Sequence, residues 1–164
     1  MIHLNNYGWN DKLSQLKQES TYNALTHGRI SIVHRTCYEV VSENGLFQCE
    51  LTGNMMYGKS DFELPCTGDW VLFQPFDEHK GIIVDMLPRE RTLYRKKNGT
   101  VADKQAIASY VDKAFIVQSL DDNFNVRRAE RFMVQMQEEN INPVLVFNLS
   151  LIHISEPTRL RCIS

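Results

Sequence analysis

Residues 112–148 read DKAFIVQSLDDNFNVRRAERFMVQMQEENINPVLVFN, and this stretch decides the fold class. The run Ala114-Phe115-Ile116-Val117 is continuously apolar and predicts a buried strand. The period then changes. Asn125 is a candidate N-cap, because its side-chain oxygen can accept from the open amides of a first helical turn. Val126, Ala129, Phe132, Met133 and Met136 follow at helical spacing and are expected to face a core. Arg127, Arg128, Arg131, Glu138 and Glu139 fall on other faces. Asn142-Pro143 ends the helix, and Val144 to Phe147 predicts a second strand. Strand, helix and strand within about 35 residues make a βαβ unit, with parallel strands and a right-handed crossover. Asn148 then sits at the C-terminal end of the second strand, the edge at which open α/β sheets bind ligands. A side-chain amide there can hold a purine edge through one donor and one acceptor. An ordinary loop asparagine is the plainer alternative.

Upstream, residues 28–88 read as β structure. Segment 29–41, RISIVHRTCYEVV, is rich in β-branched and aromatic residues and leads into Asn44-Gly45, a hairpin signal. LFQCELT at 46–52 alternates apolar and polar residues, and 53–64 looks like a loop. Gly68-Asp69 opens WVLFQPF, and a turn at 78–81 leads to IIVDMLP. Short strands at this spacing predict a small closed sheet: a five-stranded OB-like barrel, with an SH3-like barrel almost as good a fit. Before it, residues 1–27 predict a short leading helix capped by Asn10 or Asp11, with Leu13 and Leu16 on one face. Tyr7 and Trp9 are expected to pack on the next domain. Between the barrel and the βαβ unit, residues 89–111 begin as a basic connector. Its cations Arg89, Arg91, Arg95, Lys96 and Lys97 face one nearby acid, Glu90. Such a cluster suits phosphate contact by counterion displacement, although a solvated linker explains the charge run as well.

The chain of 164 residues is 43 % hydrophobic and 23 % charged, as in ordinary soluble domains, which excludes a disordered or fibrous chain. Its formal net charge is −2, so nucleic-acid binding would need a local patch. No apolar run approaches the roughly 20 residues that cross a bilayer. The N-terminus lacks a secretory signal, so no membrane association and a cytoplasmic location are expected. Cys37, Cys49, Cys66 and Cys162 form no CxxC pair, which argues for reduced thiols and against a metal site. No phosphate loop is expected, and the sequence contains no GxGxxG, GxSxG or HExxH motif, so no catalytic residue is assigned.

A composition break follows Asn148. Residues 149–164 read LSLIHISEPTRLRCIS, and Leu149 to Arg159 resembles an in-frame translation of the mosaic-end adapter used in transposase-based DNA library preparation. The segment is therefore expected to be a non-native tail, and residues 112–148 are expected to be a truncated unit. Without it the formal net charge is −3, since Arg159, Arg161 and Glu156 leave the count.

Several pieces together resemble the ribosome small-subunit-dependent GTPase A family (RsgA, also called YjeQ). They are Gly8-Trp9-Asn10, Gly68-Asp69-Trp70-Val71, Leu87-Pro88-Arg89, Arg95-Lys96, Gln105, Ala108 and Asp112. Further along come Phe115-Ile116-Val117, Phe124-Asn125, Arg128, Arg131 and Pro143-Val144-Leu145-Val146. The resemblance implies an all-β OB-fold barrel followed by an incomplete α/β domain, a circularly permuted P-loop GTPase. Permutation places the guanine-specificity motif Asn-Lys-x-Asp before the phosphate loop. Asn148 matches its Asn, but the chain continues Leu149-Ser150-Leu151. The resemblance implies a parent enzyme that hydrolyses GTP with Mg²⁺, carries zinc in a C-terminal region, and assists late maturation of the small ribosomal subunit. GTP would favour the bound state and hydrolysis would release it. This chain is expected to lack that family's phosphate loop and switches, and to be a monomer with no activity and no bound cofactor. Docking on 16S ribosomal RNA would use Arg29, Arg35, Arg89, Arg91, Arg95, Lys96 and Lys97. The alternative is a stand-alone OB-fold RNA-binding module without enzymatic activity. Residues 105–148 are expected to be marginally stable, because a lone βαβ unit leaves an edge and a sheet face uncovered.

Overall fold

The computed structural model describes residues 2–57, 59–96, 104–119 and 124–148. Lys97 and the segment 149–164 lie outside the described residues. The chain divides into two compact units, residues 1–112 and 113–164.

The first unit is built on a closed barrel of five strands: β1 (Thr26–Val33), β2 (Tyr38–Ser42), β3 (Gly45–Leu51), β4 (Trp70–Asp77) and β5 (Lys80–Met86). Their order around the barrel is β1-β2-β3-β5-β4. β3 and β5 pair in parallel, Cys49 opposite Gly81, and every other pair is antiparallel. Closure removes the sheet edges that would otherwise offer unpaired amides to other chains. This order and the parallel closing pair select the OB-like barrel over the SH3-like one. The hairpin falls where Asn-Gly placed it, with Ser42 paired to Gly45 around a two-residue loop.

Alternation along the strands sends Ile30, Val40, Phe47, Cys49, Val71, Phe73 and Ile83 inward as one buried cluster. Met55 joins it from α2 (Gly53–Met56), a single turn within the segment expected to be loop. Each such side chain contributes about 1.5–3 kcal/mol on burial.

A second apolar cluster forms outside the barrel wall. Leu4 and Leu13 pack with Val41, Trp70, Leu72 and Leu87, flanked by Trp9 and Leu16. Leu13 belongs to the leading helix α1 (Asp11–Glu19). Its cap is Asn10, whose Oδ1 accepts from the Leu13 amide at 3.0 Å. Trp9 packs as expected, its ring 4.9 Å from that of Trp70.

The described residues of the basic segment after the barrel are ordered as strand and turn rather than solvated linker. Two strands, β6 (Leu93–Lys96) and β7 (Lys104–Ala108), pair antiparallel. Ala108 also bridges to Thr67, and the Ser109 amide donates to the Thr67 carbonyl at 2.9 Å.

The second unit is a strand–helix–strand. β8 (Lys113–Ser119) and β9 (Asn142–Asn148) run parallel and in register from Lys113 opposite Asn142 to Ser119 opposite Asn148. α3 (Val126–Glu138) is capped by Asn125, whose side chain accepts from the Arg128 amide at 3.0 Å. Ala114 and Ile116 are buried, whereas Phe115 and Val117 are 67 % and 63 % exposed. Two expectations are corrected here. The strand is buried on one face only, and of the helical positions assigned to the core Ala129 and Met136 are buried, Met133 is half-buried, and Val126 and Phe132 are exposed. Two strands are too narrow to cover a wider stripe of the helix.

Amide hydrogen exchange checks the difference between the units. Exposed apolar faces and unpaired edges predict weaker protection for 112–147 than for 29–87. Equal protection would contradict it.

Candidate functional site

A buried carboxylate organises the surface around the barrel. Gly68 has φ +93, a left-handed conformation that glycine adopts without strain. A Cβ there would meet the Ser109 carbonyl oxygen at 2.3 Å. The turn aims Asp69 inward, where it is 0 % exposed. Its carboxylate accepts from the Cys66 amide at 2.7 Å and from Ser109 Oγ at 2.5 Å. Arg89 donates to it through Nε at 2.9 Å and Nη2 at 2.6 Å. Arg89 also donates to the carbonyls of Phe62 and Leu64. Burial alone would lower the Arg89 pKa, but the hydrogen bonds and charge of Asp69 outweigh it and hold the guanidinium above its ordinary value. Nearby, burial pushes the Cys66 thiol up to about 12, with the Asp69 charge adding to it, so this thiol stays protonated and inert.

The candidate RNA-contacting cations separate by environment. Arg89, with 10 % of its side chain exposed, is committed to Asp69. Arg29 donates to the Gly68 carbonyl at 3.0 Å and to that of Tyr7, with its guanidinium 5.8 Å from the Trp70 ring. Burial lowers its pKa, against the opposing charge of Asp112. Arg91 lies between Glu90 and Asp112, at 3.5 Å and 3.3 Å. It lines a narrow polar cleft of about 90 Å³ with Lys12, Arg29 and Tyr110. Lys12 is paired to Glu90. These three arginines therefore hold the unit together, whereas Arg35 and Arg95 are exposed. Arg35 lies on the turn between β1 and β2. Arg95 projects from β6 and donates to Gln105 Oε1 at 3.0 Å. Lys96 ends β6, and Lys97 lies outside the described residues.

At the carboxyl edge of the parallel pair, Asn148 is exposed and stands opposite Ser119. The crossover brings the N-terminus of α3 to the same edge, the arrangement in which open α/β sheets receive nucleotides. Among the described residues no group of three or more His, Cys, Asp or Glu could hold a metal. None of the described helices is long and apolar enough to cross a membrane.

Two polar contacts are not legible in the sequence. One is the buried set of groups around Asp69. The other, half-buried, joins α1 to the barrel: Lys17 Nζ lies 3.2 Å from His27 Nδ1, and the His27 ring packs on that of Trp9 at 4.1 Å. His27 Nε2 is buried without a partner among the described residues. Burial lowers the His27 pKa, the Lys17 charge lowers it further, and Glu43 opposes both.

The RsgA GTPase family model matches residues 86–157, a span that includes both parallel strands and runs on into the segment after Asn148. The protein named small ribosomal subunit biogenesis GTPase RsgA 1 from Bacteroides thetaiotaomicron is 70 % identical over 146 residues, covering 89 % of this chain and 41 % of that protein. The chain thus spans about two fifths of that relative's length. Among solved structures, YloQ, described as a circularly permuted GTPase, superposes with a TM-score of 0.51 at 21 % identity, over 79 % of this chain and 42 % of that one. YjeQ from Thermotoga maritima gives 0.51 at 21 % identity, over 75 % and 41 %. The structural matches establish a shared fold.

Two outcomes follow. Asp69→Ala strands Arg89 in a buried site and should cost about 3–5 kcal/mol in urea unfolding; a loss below about 1 kcal/mol would show that the pair contributes little. His27 has a lowered folded pKa, so the unfolded chain takes up the proton first as pH falls below its ordinary 6.5. Its stabilising contribution is whole above that value and is lost toward acid. Thermal melts from pH 8 to pH 5 should therefore slope less steeply for His27→Gln than for the unsubstituted chain, and parallel slopes would contradict this.

Proposed function

The chain belongs to the RsgA GTPase family, and from that premise we propose that it forms the RNA-anchoring barrel and the opening strands of the guanine-nucleotide domain of a factor for small-subunit biogenesis. The observation that supports this reading best is the 70 % identity to a relative of that name across both units. On this reading the barrel docks on 16S ribosomal RNA in the cytoplasm. Arg35 and Arg95 are the arginines offered to phosphate, because Arg29, Arg89 and Arg91 are spent on internal pairs. Lys96 and Lys97 continue the same basic run in sequence.

Asn148 would meet the purine edge of GTP. A neighbouring lysine and aspartate would be needed to complete guanine recognition, the carboxylate accepting from the guanine N–H groups. The sequence supplies neither next to Asn148. Gly53-Asn54-Met55-Met56-Tyr57-Gly58-Lys59-Ser60 spells GxxxxGKS, but the string falls between the barrel strands β3 and β4, and its first four residues form a helical turn with Met55 in the barrel core, unlike a phosphate loop, which joins a strand to a long helix. The residues present therefore do not fit a complete GTP and Mg²⁺ site. In the longer protein, GTP would favour the subunit-bound state and its hydrolysis would release the factor.

Isothermal titration of the 164-residue chain with GTP and Mg²⁺ should show no saturable heat in the micromolar range. Micromolar binding would contradict the incomplete-pocket reading. Co-sedimentation with purified small subunits should be retained by the unsubstituted chain and weakened by R35E/R95E. A chain that never enters the subunit fraction would overturn the anchoring role.

A further inference from the structure

α3 carries its charges in the order a helix disfavours. Its first turn holds Arg127 and Arg128 with no acid, and its last turn holds no base. Arg131 lies one turn on, and Glu138 closes the helix, followed by Glu139. The helix N-terminus is the positive end of the macrodipole and the C-terminus the negative one, so both ends lose stability. Arg127 and Arg131 also stand at i and i+4, where like charges repel. Helical periodicity puts them on the side opposite the buried Ala129 and Met136, with Arg128 on the flank. All three arginines are exposed, and among the described residues no ion pair joins any of them to a carboxylate. Glu130 lies beside Arg131 on the same helix, and Asp121 and Asp122 precede the helix outside the described residues. A local arrangement that works against its own element is the pattern expected of a functional surface.

We propose that the Arg127–Arg128–Arg131 ridge of α3 is a second RNA-contacting surface, which grips the phosphate backbone independently of the barrel. This rests on the ribosomal reading above, which supplies the polyanion. Three guanidinium groups and no lysine suit two-pronged contact with phosphate oxygens. Arg127 and Arg131 are separated by four residues, about 6 Å along the axis, so both can face one strand. Phosphate contact also removes the repulsion that the free helix sustains.

The test uses the full chain, a fluorescein-labelled RNA duplex and its isolated strand, with binding followed by anisotropy across a salt series. R127Q/R131Q should weaken binding at least tenfold at low salt, and should reduce the slope of log K against log salt by about two. R127K/R131K should keep most of that slope. Melting of the Gln variant should be unchanged or raised, because a repulsive pair is gone. A Gln variant with the affinity and slope of the unsubstituted chain overturns the proposal. R35E/R95E serves as the barrel control. If that variant alone loses binding, the ridge fails and the barrel reading stands. If the unsubstituted chain binds neither RNA nor small subunits, both fall together.

Discussion

The carboxylate of Asp69 is the constraint on which the first unit depends. Taking an ion pair out of water costs several kcal/mol per ion, a cost offset only when every polar atom finds a partner. Around Asp69 that condition is met by the Cys66 amide, the Ser109 hydroxyl and the Arg89 fork. Each donor comes from a different part of the chain. The loop before β4 is tied through the Phe62 and Leu64 carbonyls, and the segment after β5 through Arg89 and Ser109. Removing any one group would leave a buried charge short of a partner, so loop, barrel and β6–β7 pair are ordered together. Gly68 makes this possible, because the turn that aims Asp69 inward brings its backbone against Ser109.

The same constraint explains the character of the barrel surface. Arg29 is held over Trp70 by backbone carbonyls, and Arg91 is held between Glu90 and Asp112. Arg91 and Tyr110 have φ +46 and +54, conformations costing on the order of 1–3 kcal/mol each. Backbone bonds from the Tyr110 amide to the Glu90 carbonyl and from the Val111 amide to the Arg91 carbonyl keep them there. Much of the positive charge in this region is therefore structural. What remains for a polyanion is set by which side chains the internal pairs leave exposed.

How much of this was legible in the sequence depended on how local the physics was. Alternation in β3, the Asn44-Gly45 turn and the Asn125 cap are readable because each is decided within a few residues, and the parallel pair because a helix between two apolar runs forces the crossover. The choice between OB-like and SH3-like barrels was not, since it turns on the pairing of Cys49 with Gly81 across the intervening strand. Residues 89–111 looked like a linker because the partner of Arg89 lies 20 residues back and that of Ser109 lies 40 back. Charge runs report composition, and a buried partner elsewhere is invisible to them. In α3 the apolar spacing was genuine, yet only Ala129 and Met136 are buried, because coverage depends on how many strands lie beneath the helix. The position of Asn148 at the carboxyl edge was legible from topology, whereas its part in nucleotide recognition depends on groups the sequence beside it does not provide.

The most direct test of the Asp69-centred account is the exchange of arginine Nε protons, followed by ¹⁵N NMR near neutral pH. Arg89 Nε–H donates into a carboxylate with no access to water and should give a persistent, slowly exchanging signal, while that of the exposed Arg95 exchanges quickly. Equal exchange at the two positions would contradict the account, because it would mean that the guanidinium is not held in the interior at all.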